Sequence, residues 1–139
     1  MSWLGWALGS AGFAAMTAIF GKIGVAGVPS DYATFLRTIV ILAFAGAIVA
    51  ATGQWRPPAD LPGRTLLFLA LSGLATGASW LCYYRALQLG QAAKVAPVDK
   101  LSVVLVAVFG VVFLSEKLTA ANWAGVALIT AGAVLVAWR

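Results

Sequence analysis

Residues 92–114 read AAKVAPVDKLSVVLVAVFGVVFL. From Val103 onward the stretch is apolar. Taken whole it reaches the ~20 residues that a ~30 Å hydrocarbon core requires at ~1.5 Å per residue. Lys94, Pro97, Asp99 and Lys100 fall where such a span begins. Two readings are open. In the plain one, Pro97 occupies the first helical turn, where its missing N–H is no loss. Asp99 then favours the positive end of the helix dipole, and Lys100 stretches its stem to the headgroups. In the other, polar machinery is carried into the membrane.

The surrounding sequence makes this one span among several. Of 139 residues, 63% are hydrophobic and 9% charged, with a mean hydropathy of +0.99. Soluble domains are about 25% charged, so such a chain cannot cover a water-facing surface. Gly/Pro/Ser-rich breaks such as GVAGVPSD (24–31) and GQWRPPADLPGR (53–64) divide it. The spans fall at about 3–23, 32–52, 65–89, 92–114 and 122–138. This is an all-α integral membrane pattern, a single domain across residues 1–139 with sequential helices antiparallel. The first span lacks the basic n-region of a signal peptide and is expected to be retained.

Composition also excludes much. The chain has no His, and Cys82 is its one Cys. Intrachain disulfides, His/Cys metal sites and His-based triads are therefore ruled out, and no cofactor or metal is expected. The net charge of +5 comes from scattered single bases, with no stripe to track nucleic acid. The acids Asp31, Asp60, Asp99 and Glu116 stand apart, so no acid/base or nucleophile cluster points to an enzyme.

Five spans put the termini on opposite faces. The N-terminal face holds Arg56, Arg64 and Lys117. The other holds Lys22, Lys94 and Arg139, with Arg37, Arg85 and Lys100 a turn or two inside. Loops and termini alone score evenly, which is a divided instruction under the positive-inside rule. Dual insertion produces such a pattern, and so do some proteins of fixed orientation.

On the second face Arg37, Arg85, Asp99 and Lys100 lie at similar depth, about 5–9 Å below the interface. Ionisable groups there must snorkel, pair or face water. A pairing with Asp99 or Asp31 would relieve Arg37. Alternatively, the group lines a basic vestibule that favours anionic or zwitterionic solutes. Trp80 and Tyr84, four apart, share a helix face with Gly77 and Gly73, and Tyr83 flanks them. They are candidates for the wall of a solute path or for simple packing. Gly5/Gly9, Gly73/Gly77 and Ala121/Gly125/Gly132 have the spacing of close helix seams, read first as intrachain packing.

The run SGLATGASWLCYYRALQLGQAAKVAPVDKLSVVLVAVFGVVFLSEKLTAANWAGVALITAGAVLVA (72–137), with MTAIFGKIGVAGVPSDYATFLRT (16–38), resembles the EamA-type domain of the drug/metabolite transporter superfamily. The likeness is to the short, five-span bacterial subset. It implies half of a ten-helix inverted-repeat transporter, since longer relatives carry two such domains. Glu116 matches the family's Glu at the end of span four, and Leu87 and Gly90 match its ALxxG turn. Pro97 stands earlier than the deep proline of many two-domain members.

The expectation is thus a secondary transporter of small polar metabolites, multi-pass in a bacterial inner membrane and paired with a second copy. Antiparallel pairing would recreate the inverted repeat. A non-transporting subunit for another membrane protein, or for a lipid-carrier flipping complex, is the alternative. Substrate, direction and coupling ion are not legible.

Overall fold

The computed structural model describes residues 2–138, so Arg139, counted above as a face charge, lies outside it. The described residues form α1 Trp3–Gly24, α2 Ser30–Ala51, a 3-10 turn Pro58–Asp60, α3 Gly63–Leu89, α4 Ala92–Asp99, α5 Ser102–Leu114 and α6 Ala120–Ala137. Five stretches are long and apolar enough to cross a membrane, with α4 and α5 together making the fourth. The protein is an all-α, multi-pass membrane protein. Leu42 (72% exposed), Phe44 (68%) and Phe113 (74%) show the apolar surface that acyl chains cover.

Helices suit lipid because each satisfies its own backbone, and the hydroxyls follow the same rule. Thr34 Oγ1 donates to Ser30 O at 2.9 Å, Thr38 to Thr34 O at 2.8 Å and Thr76 to Ser72 O at 2.8 Å. Helix ends are closed by local chemistry. Gly53, at φ 64°, ends α2, with Gly53 N bonding Ala50 O and Gln54 N bonding Val49 O, a Schellman arrangement. Thr119 and Asn122 form a reciprocal capping box on α6.

The fourth span departs from expectation. Pro97 is the sixth residue of α4, inside the helix and not in its first turn. Having no N–H, it cannot bond the carbonyl four residues back. Asp99 consequently ends α4, the negative end of that helix's dipole, instead of opening a span. Beyond it the backbone tightens into i→i−3 bonds, with Leu101 N to Val98 O, Val103 N to Lys100 O and Val104 N to Leu101 O each at 3.0 Å. The span is two helices joined by a short 3-10 stretch.

The chain divides into two compact units, Met1–Ile19 with Leu89–Arg139, and Phe20–Gln88. In the first, α6 packs along α4 and α5. In the second, the buried residues Gly21, Val25, Ser30, Thr34, Tyr84 and Leu87 gather where α1 ends, α2 begins and α3 ends. Lys22 Nζ donates to Leu87 O at 2.6 Å, and Gln88 Nε2 donates to Val28 O at 3.0 Å. Lipid tails are as apolar as Leu, so hydrophobic burial gives little preference for one helix partner over another. Polar stitches of this kind, about 0.5–2 kcal/mol each, favour this pairing.

The glycines differ in how closely described residues approach them. A Cβ on Gly5, Gly9, Gly73, Gly77, Gly125 or Gly132 would meet nothing within 4 Å. The close intrachain approach is elsewhere, at Gly21, where a Cβ would lie 3.2 Å from Tyr84 Oη and 3.4 Å from Leu87 Cδ1.

Candidate functional site

Ser30, Thr34 and Arg37 recur at helical spacing on α2, while Trp80 and Tyr84 stand one turn apart on α3. The fold brings these two faces together. Arg37 Cζ lies 4.1 Å from the centroid of the Trp80 ring and 5.3 Å from that of Tyr84. Both distances are within cation–π range. Arg37 and Asp31 form no ion pair among the described residues, and Asp99 belongs to the other unit. Asp31 Oδ1 accepts from Ser30 Oγ at 3.2 Å, and Asp99 Oδ2 pairs with Lys100 Nζ at 3.4 Å. Among the described residues Arg37 meets no acid, and its Nη1 is buried without a hydrogen-bond partner. Two ring faces stand in for the missing anion.

Arg37 lies seven residues into α2, about 10 Å along the helix from its start. Tyr83 is half-buried and sits edge-on to Tyr84, with centroids 6.5 Å apart. Tyr84 is itself buried, and its hydroxyl rests near Gly21 instead of beside Gly73 and Gly77.

Arg85 faces a different space. An open groove of about 570 Å³ is lined by Ser30, Asp31, Leu81, Cys82 and Arg85. Arg85 Nη1 donates to Gln88 Oε1 at 3.0 Å, and Gln88 is the residue bonded to Val28 O. Sequence reasoning missed Ser30, Gln88 and Lys22 as parts of this region. Only their polarity near a span end could have marked them.

Asp99 and Lys100 belong to the other unit, where they form their own pair at the α4–α5 junction. Along the helix axis they stand about 10–12 Å from Ala92.

A model of the EamA-like transporter family matches residues 1–138. The chain belongs to the EamA-like transporter family. A curated relative, "Uncharacterized transporter in cobO 3'region" from Sinorhizobium sp, is 68% identical over 136 residues, covering 98% of this chain and 96% of that protein. No solved structure matches the chain.

Within this EamA-family chain the motif residues have identifiable surroundings. Leu87 is fully buried, and Gly90 lies in the bend between α3 and α4. Glu116 follows Ser115, whose φ of 57° ends α5, and Glu116 N bonds Gly110 O at 3.1 Å. The Glu116 carboxylate folds back over Gly110 so closely that a Cβ there would lie 2.5 Å from Oε2. Glu116 thus packs on the helix it follows.

Proposed function

We propose that this chain is a secondary transporter of small polar solutes, anionic or zwitterionic, in a bacterial inner membrane, and that it works as a homodimer. One observation carries the reading. Arg37 is a permanent charge on a membrane span, with Cζ over the Trp80 ring and near that of Tyr84, and its buried Nη1 has no acceptor among the described residues. A buried donor lacking an acceptor costs about 1–3 kcal/mol, more when charged. A solute carboxylate or phosphate removes that cost and takes a strong, charge-assisted bond. The chemistry is binding and release, since these residues offer no nucleophile with a base beside it.

Pairing is supported by glycines on α1, α3 and α6 at which a Cβ would meet no described residue within 4 Å. Such positions let a second backbone come close in lipid. The relative's name, a transporter, agrees. The test is flux. Purified protein in liposomes is expected to take up members of a panel of labelled carboxylates, phosphates and amino acids, and Arg37→Ala should reduce uptake at least tenfold. No flux for any solute would leave the chain as a subunit of another membrane assembly.

A further inference from the structure

We infer that the groove lined by Ser30, Asp31, Leu81, Cys82 and Arg85 is a binding site for zwitterions, groups that carry an ammonium and a carboxylate or phosphate a few bonds apart. The inference rests on the transport reading, whose solute class it names.

Opposite charges line one open space of about 570 Å³ on two different helices, yet they do not neutralise each other. Each is held by its own neighbour. Asp31 Oδ1 accepts from the hydroxyl of Ser30, a residue only 4% exposed, which leaves Oδ2 for a ligand. Arg85 gives Nη1 to Gln88 Oε1, and Gln88 is in turn fixed by its bond to Val28 O. The guanidinium keeps further N–H groups in its rigid fork. A lone arginine here would read as a headgroup anchor. A lone aspartate would read as a helix-start residue. Two pre-oriented, opposite and unpaired charges complement a dipolar ligand, whose ammonium meets Asp31 and whose acidic oxygens meet Arg85. Leu81 and Cys82, up to a turn deeper on α3, provide an apolar floor that does not compete with either charge. The volume is in the range of small-molecule sites, about 300–1,000 Å³. The same chemistry is offered by a free solute and by an aminophospholipid headgroup.

The chain supplies its own reporter, because Cys82 is its one cysteine and is exposed. The rate of maleimide labelling of Cys82 measures occupancy without any flux. Phosphoethanolamine is expected to slow labelling at least fivefold, while ethanolamine and inorganic phosphate, which carry one half each, do not. Asp31→Asn and Arg85→Gln should each raise the half-protecting concentration at least tenfold, measured against each variant's own labelling rate without phosphoethanolamine, with the Tm of the detergent-solubilised protein as the check on folding. Slow labelling in phosphatidylethanolamine nanodiscs but not in phosphatidylglycerol nanodiscs, with nothing added, assigns the site to the headgroup. Protection only by added phosphoethanolamine assigns it to a free solute. The inference is overturned if phosphoethanolamine gives no protection, if phosphate alone protects equally, or if both variants retain it. Flux that persists without protection removes the zwitterion site and leaves transport standing. Protection without flux for any solute does the reverse.

Discussion

Arg37 shows how a residue that would be a defect in water becomes usable in a membrane. Its charge is tolerated because aromatic faces attract it, an effect worth about 0.5–2 kcal/mol. The planar guanidinium stacks where an ammonium does not, so Arg37→Lys is not a neutral exchange. In uptake assays Arg37→Lys should raise the apparent KM by roughly 2- to 30-fold, the range those energies convert to. Trp80→Ala should act in the same direction. The two close-packed glycines give a contrasting pair. Gly21 faces Tyr84 and Leu87, so Gly21→Ala should lower the Tm of the detergent-solubilised protein. Gly110 faces only the mobile end of Glu116, so Gly110→Ala should leave Tm unchanged or raise it, alanine being the better helix former by about 1 kcal/mol. Arg37 was recognisable in sequence as a misplaced charge. Its aromatic partners were recognisable as a pair, but nothing in the order of residues says that an α2 arginine and an α3 tryptophan meet.

Among the elements, the fourth span carries the sharpest test. Were Pro97 in a first turn, replacing it would change little. It is instead inside α4, where a proline costs about 3 kcal/mol relative to alanine. Pro97→Ala should therefore raise Tm, since the N–H gained at position 97 can bond the carbonyl four residues back. Asn122→Ala removes half of the α6 capping box and should cost about 0.5–2 kcal/mol, read as a lower Tm. All five spans were legible because apolar length and Gly/Pro breaks are local signals. The break within 92–114 was not, because a proline near a span's start is compatible with two helix beginnings. Only the bonding around Lys100 distinguishes them.

At the scale of the whole molecule, glycines on three helices have space for a Cβ, with no described atom within 4 Å of it. Cysteines placed at Gly73 and Gly77, in a Cys82→Ser background, should crosslink between copies in membranes. C-terminal reporters active on one side only should both give signal if the pairing is antiparallel. A signal on one side alone would restrict the dimer to parallel. The bond from Lys22 to Leu87 adds a matter of timing. These residues are 65 positions apart, so at about 5–20 residues per second of synthesis the bond must wait roughly 3–13 s after Lys22 is made. In that interval Lys22, in the last turn of α1, is without the Leu87 carbonyl. Once α3 arrives, the same ammonium closes the end of that helix. A charge that is made early is thus tied to a helix end only when the third helix is in place.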